Sequence, residues 1–349
     1  MAVVKADAYG HGAVPCARAA VEAGADCLGV GRVEEGIELR EKGLQAPVHV
    51  LAGAFPEEIE DLIRYRLAPT LCRESMAEAI HRAAQARGTR LGVHIKVDTG
   101  MGRLGVPPEQ LPHLVERIRQ LKNLRIESIF THLATADDPD PEYTRFQLTR
   151  FREALGVLER KGMALPPVHA ANSAALLRHP ESQLSLVRTG ILLYGALTSP
   201  HLEPVWEGIR SSGTPPLQPV MSWKSRIIHL NRIPKGSCLS YGKTYKVSRE
   251  SRIATLPVGY ADGLPRRLSG NLEVLIHGQR APQVGTICMD LCLVDVTDIP
   301  EAREGDTVVL LGEQEGERIT VEEMARRAET LPYEILCCVG KRVPRLYKS

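Results

Sequence analysis

Ala2-Val3-Val4-Lys5-Ala6-Asp7-Ala8-Tyr9-Gly10-His11-Gly12 is the stretch on which the fold is decided. An apolar, β-prone run delivers a lysine, small residues and a tyrosine come next, and a Gly-His-Gly turn opens a helical pattern over residues 13–25. A lysine at the end of a buried strand, facing a loop, is placed to lose its proton and act as an amine nucleophile. A lone strand-end lysine more often simply reaches solvent. The rest of the chain decides between the two.

Working outward, short apolar or β-branched runs recur at residues 2–5, 27–30, 48–51, 68–71, 91–97, 126–132, 168–172 and 186–194. Between them, residues 33–42, 56–63, 74–87, 108–121 and 141–161 carry apolar residues at three- and four-residue intervals, the helical period. Eight strand signals with intervening helices predict a (β/α)8 TIM barrel. The rival doubly wound sheet needs a Gly-rich phosphate turn after its first strand, and Gly10-His11-Gly12 lacks that spacing. A barrel also wants eight helices. Here the chain starts on its first strand, and after Tyr194 only residues 201–210 offer a weak helical pattern, so one helix is expected to be missing.

The helical pattern stops at Ser211-Ser212-Gly213-Thr214-Pro215-Pro216, a linker composition. Strand signals then appear at residues 220–230, 252–256, 272–276, 284–289, 291–296 and 307–311, with one helix over 320–330 opened by Thr320 and Glu323 as a capping box. The expected organisation is a barrel domain over residues 1–211 and a mostly-β domain over 212–349.

In a barrel, chemistry sits where strands end. Lys5, Lys96, His132, Asn172, Ser173 and Arg188 lie at or near the ends of different strand signals. Each alone has a plain structural explanation; together they point to one polar pocket. The net charge of +2 gives no case for nucleic acid or a membrane surface, and no apolar run is long enough to span a bilayer. The start has no signal-peptide pattern and the eight cysteines no paired motif, which suits a reducing cytoplasm. The adjacent Cys337-Cys338 reads as core. The histidines, His11 and His49 among them, show no zinc spacing, so no metal is expected.

Several longer blocks occur in one order: Val4 to Gly12, Lys96-Val97-Asp98-Thr99-Gly100-Met101-Gly102-Arg103-Leu104-Gly105, and Phe130-Thr131-His132-Leu133-Ala134-Thr135-Ala136-Asp137. Ala171-Asn172-Ser173-Ala174, Val187-Arg188-Thr189-Gly190-Ile191, Ser240-Tyr241-Gly242, Gly259-Tyr260-Ala261-Asp262-Gly263 and Cys288-Met289-Asp290 complete the series. With these blocks the chain resembles the bacterial alanine racemases over nearly its whole length.

The resemblance implies a pyridoxal 5'-phosphate enzyme that interconverts L- and D-alanine for peptidoglycan; a broader or serine-preferring amino-acid racemase is the alternative. It implies that Lys5 carries the cofactor as a Schiff base, and that Tyr9, Ser173, Gly190, Ile191 and Tyr333 hold its phosphate. Arg188 would face the pyridine nitrogen and, being no usable proton donor, leave it unprotonated. Lys5 and Tyr241 would be the two catalytic bases, one on each face of the substrate's Cα. Tyr241 would come from the second subunit of a head-to-tail homodimer, with His132 and Arg188 networked behind its phenol. Arg103 would contact cofactor and substrate carboxylate, the latter shared with the backbone of Met289. Lys96 matches a lysine that is carbamylated in many members. Tyr260, Asp137 and Arg266 match the substrate entrance, and Tyr333 with Tyr241 its inner constriction. The resemblance also implies a strand and a helix ahead of the lysine block, so Met1 is expected to lie inside a longer chain.

Overall fold

The computed structural model describes residues 1–348. Its first unit, Met1–Leu193 with Pro200–Pro215, is built on seven parallel strands in sequence order: β1 (Ala2–Val3), β2 (Leu28–Val30), β3 (Val48–Val50), β4 (Ala68–Leu71), β5 (Leu91–Lys96), β6 (Leu124–Phe130) and β7 (Val168–His169). The eighth signal does not form a regular strand. Its backbone nevertheless spans the gap: Ser185 N–H donates to Val168 O and Arg188 N–H to Ala171 O, while Thr189 exchanges bonds with Met1 O and Val3 N–H. That closes the ring. After Gly190 the chain coils into a short 3-10 turn, Ile191–Tyr194, which ends the extended run earlier than its apolar composition suggests.

Helices return the chain between strands, and their buried faces follow the 3.6-residue period. In Glu142–Arg160 the buried set is Thr144, Gln147, Leu148, Phe151, Ala154, Leu155 and Leu158, one stripe against the sheet. Burying each large apolar side chain contributes roughly 1.5–3 kcal/mol. Two helices depart from the expectation. The weak pattern after Tyr194 is a real helix, Glu203–Ser211. Residues read as a strand end at Asn172-Ser173 instead start the helix Ser173–Arg178, because the Asn172 side chain accepts from Ala175 N–H at 2.9 Å and caps it.

The second unit, Tyr194–Ser199 and the chain from Pro216 on, is antiparallel. It contains β8 (Trp223–Arg226), β9 (His229–Ile233), β10 (Cys238–Leu239), β11 (Tyr245–Lys246), β12 (Ser251–Leu256), β13 (Glu273–Ile276), β14 (Gln279–Val284), β15 (Cys292–Asp295), β16 (Thr307–Gln314) and β17 (Glu317–Ile319). The main sheet runs β17-β16-β13-β14-β15-β12-β9, with β8 also on β16, and β10 and β11 form a separate hairpin. The run 220–230 therefore holds two strands, and 284–289 is mostly loop because the strand precedes it. Thr320 caps its helix as expected, accepting from Glu323 N–H at 3.1 Å. Cys337 and Cys338 are exposed, not core: they lie on the outer side of the helix Pro332–Cys338, whose Ile335 and Leu336 face inward. Among the described residues no helix is long and apolar enough to cross a membrane.

Candidate active site

Lys5 is not on a strand. β1 stops at Val3, and Ala6, Asp7, Ala8 and Tyr9 all take left-handed backbone angles, φ 52°, 54°, 53° and 55°. Left-handed conformation costs an L-residue about 1–2 kcal/mol, and here four stand in a row. The surroundings hold them. Ala8 N–H donates to Val4 O, and Asp7 accepts from Ala13 N–H at 2.7 Å, capping the helix Ala13–Glu22. Glu35 accepts from Ala6 N–H at 2.7 Å and from Gly31 N–H at 2.6 Å. A Cβ on Gly31 would lie 3.6 Å from the Lys5 Cβ, so the lysine runs along a backbone bare of side chain.

Tyr9, four residues on, is buried and meets Ser173 at Gly190. A Cβ on Gly190 would sit 2.6 Å from the Tyr9 Oη and 3.7 Å from the Ser173 Oγ. The Ser173 hydroxyl accepts from Gly190 N–H at 2.9 Å and from Leu192 N–H at 3.4 Å. Two hydroxyls and main-chain N–H groups thus surround a space that only glycine leaves open.

Arg188 is 5 % exposed, and no carboxylate pairs with it among the described residues. Its guanidinium donates to His169 Nδ1 at 2.7 Å, Ala170 O at 2.8 Å, Thr131 O at 2.9 Å and His132 Nδ1 at 3.3 Å. Burial brings it down to about 10, still cationic at neutrality. Lys96, also buried, lies with Arg188 over the ring of Phe130. Burial, then Arg103 and Arg188, push Lys96 down to about 8. Arg103 stands exposed on the loop after β5, where Asp98 accepts from Gly100 and Gly102 N–H and fixes the turn. His132 is held neutral by burial and then by the charges of Arg188, Lys96, Arg103 and Lys5.

In the second unit Tyr241 is 74 % exposed on the turn joining β10 to β11. Its backbone is fixed: Thr286 Oγ1 donates to Tyr241 O at 3.0 Å, and Ser240 Oγ donates to Thr286 O at 2.7 Å. Tyr260 and Met289 are also exposed, and their loops are tied together by Tyr260 N–H to Cys288 O and Ala261 N–H to Met289 O. Tyr333 lies in the first turn of Pro332–Cys338 and Arg266 on a short 3-10 turn, while Asp137 lies in the first unit, in the loop after β6. Sequence spacing gave no sign of one further group: His49, His94 and His169, from β3, β5 and β7, bring their ring nitrogens within 4.8 Å of one another. Inward residues of alternate barrel strands share a layer, and that parity is the one signal in the sequence that unites them.

The alanine racemase N-terminal domain model matches residues 1–198, and the alanine racemase C-terminal domain model matches residues 220–347. The chain belongs to the alanine racemase family. Among alanine racemases, that of Halothermothrix orenii is 46 % identical over 349 residues, all of this chain and 90 % of the relative. That of Methanococcus maripaludis is 43 % identical, covering 99 % of this chain and 91 % of the relative. A solved alanine racemase from E. faecalis superposes with a TM-score of 0.91 at 38 % identity, over 100 % of this chain and 91 % of that one. One from Bacillus anthracis with bound L-Ala-P gives 0.88 at 36 %, over 98 % and 86 %. The cofactor of alanine racemases is pyridoxal phosphate, and the residues present suit it. At Gly190 the hydroxyls of Tyr9 and Ser173 are groups able to donate to a phosphate, and the buried Arg188, with no carboxylate on it among the described residues, offers N–H groups to a ring nitrogen that stays a lone-pair acceptor.

Proposed function

We infer that this chain interconverts L-alanine and D-alanine in the cytoplasm, supplying D-alanine for peptidoglycan, and that it does so as a head-to-tail homodimer. Pyridoxal phosphate, when bound, supplies an electron-withdrawing ring that makes the substrate's α-proton removable. Lys5 would hold it through Nζ, with Tyr9, Ser173, Gly190, Ile191 and Tyr333 about its phosphate and Arg188 against its ring nitrogen. The observation that carries the reading is the juxtaposition of the Gly190 cradle with a buried arginine that has no carboxylate partner among the described residues. An arginine there donates hydrogen bonds without surrendering a proton, so negative charge stays near Cα and a proton is returned there quickly.

Lys5 exchanges the proton on one face and Tyr241 of the partner subunit on the other. The exposed phenol on a rigid turn, beside exposed Met289 and Tyr260, is a surface suited to completing another subunit's site. His132, kept neutral, would steady that phenol. Arg103 binds the substrate carboxylate with the Met289 backbone of the partner subunit.

The reading is tested by incubating purified holoenzyme with L-alanine and following D-alanine by chiral chromatography to an equal mixture. Lys5→Ala is expected to lose the cofactor's visible band on dialysis and to lower the rate by at least about 10³-fold. A variant that retains the band would remove Lys5 as the anchor.

We further propose that Lys96 is carbamylated. Near its pKa of about 8 a large share of the buried amine is neutral, so nitrogen attacks CO₂ and sheds a proton, replacing a cation with an anion between Arg103 and Arg188. With ¹³C-bicarbonate, a carbamate resonance should appear, grow as pH rises through about 8 at fixed dissolved CO₂, and vanish in Lys96→Ala. A signal that survives this substitution would place the group elsewhere.

A further inference from the structure

The three barrel histidines look at first like a metal-ligand set, but their hydrogen bonds assign them another task. A guanidinium can only donate, so the 2.7 Å contact from Arg188 makes His169 Nδ1 an acceptor. The proton of the neutral ring must then be on Nε2, which donates to Ser128 Oγ at 2.8 Å. His94 Nδ1, at 2.6 Å, is the other partner of the Ser128 hydroxyl, and the arrangement that uses its one proton is donation to that nitrogen. One fixed donor therefore sets every proton in the chain, from Arg188 through His169 and Ser128 to His94. His169 Nε2 has no lone pair left for a cation, and the nearest charges, Lys96 and Arg188, are both positive.

The backbone is built to make this chain. Between β5 and β6 the register shifts at Val93 and His94: Val93 pairs with Ile126, but His94 pairs with Ser128. Glu127 is the extra residue of a bulge, a device that re-aims side chains beside active sites. In unbroken register Glu127 would stand opposite His94. The column is backed by His49, stacked on His94 at 3.6 Å between centroids, with its Nε2–H donating to Thr70 Oγ1 at 2.9 Å. Thr70 in turn donates to Val50 O, which fixes that direction too.

We propose that Ser128 and His94 are positioning residues for Arg188: Ser128 accepts the Nε2 proton that His169 must carry when its Nδ1 accepts from the guanidinium, so the ring is satisfied at both nitrogens and holds Arg188 toward the cofactor, whereas without that acceptor a buried Nε2–H is stranded and the other tautomer competes. The Nδ1–H tautomer would set two donors against each other and push Arg188 off its place. The role rests on the racemase reading. Burial and the nearby Arg188 charge also keep His169 neutral, so protonation does not compete with the tautomer.

The test is ¹⁵N imidazole spectroscopy of histidine-labelled holoenzyme together with alanine kinetics. The wild-type protein should show His169, His94 and His49 each as a single Nε2–H tautomer; an Nδ1–H signal from His169 would overturn the proposal without any variant. Ser128→Ala should give His169 a mixture of tautomers and lower kcat by about tenfold to a hundredfold, with KM for alanine nearly unchanged. Ser128→Thr, which keeps the hydroxyl, should restore both the single tautomer and the rate. A single Nε2–H tautomer with kcat within twofold in Ser128→Ala would also sink the assignment. Because the tautomers are read on the protein itself, they stand or fall separately from whether alanine is the substrate.

Discussion

Tyr241→Phe should lose about 10³-fold of the racemisation rate while keeping its cofactor. The phenol oxygen is the only atom removed, and the turn that carries it is held by main-chain contacts to Thr286 that phenylalanine leaves in place. Racemisation needs a proton exchanged on each face of Cα. With one base gone, the other still exchanges its own face, so solvent deuterium should enter only the enantiomer whose α-hydrogen points at Lys5. Equal residual exchange into both enantiomers would count against two-sided chemistry. The same variant examines the shared site. Mixed with Lys5→Ala under conditions that let subunits exchange, half of the dimers are hybrids, each with one intact site and one doubly damaged site. About a quarter of wild-type activity should then return from two inactive proteins. If none returns although hybrids form, Tyr241 serves its own subunit.

The second large effect is on stability in mild acid. His49 and His169 are buried and His94 is largely enclosed between strands; burial depresses each below the ordinary histidine value of 6.5, aided by neighbouring positive charges for His49 and His169, and brings His94 to about 3. An unfolded chain takes up these protons as pH falls below 6.5, while the folded barrel does not. Stability is therefore complete above the unfolded value and falls steadily as pH drops toward the folded one. One unit below 6.5 each histidine removes about 1.4 kcal/mol, and His132, depressed by burial in the same way, adds a fourth share, so urea unfolding at pH 5.5 should show about 5.5 kcal/mol less than at pH 7.5. A His49→Asn protein should lose less over the same interval. Equal midpoints at the two pH values would mean that the histidines are protonated in the fold.

The alternation of strands and helices was legible because each barrel strand is short, apolar and separately punctuated. The eighth position was misread for a physical reason: closing a ring needs only a few main-chain bonds at Ser185, Arg188 and Thr189, and such bonds leave no periodicity. Lys5, Arg188 and Tyr241 are singled out by ordered motifs. Their surroundings are not. Ala6-Asp7-Ala8-Tyr9 contains no glycine, so nothing local announces a left-handed turn there. The capping role of Asn172 was readable from its type, yet its place after an apolar run suggested a strand end. The histidine chain depends on a one-residue bulge at Glu127, and a slip of register has no compositional signature. Cys337-Cys338 went wrong through composition alone, since a helix with one buried face leaves neighbouring residues on its dry and wet sides.

The left-handed turn after Lys5 also depends on other parts of the chain. Four residues that prefer the opposite hand can take this shape only when both ends are already gripped, by β1 on one side and the helix Ala13–Glu22 on the other, with Glu35 reaching in from a third element. None of these grips exists in an unfolded chain, so the turn is held only where the first two strands and their helices are in place. Where the lysine amine stands is thus decided by three separate elements of the barrel rather than by its own stretch of chain.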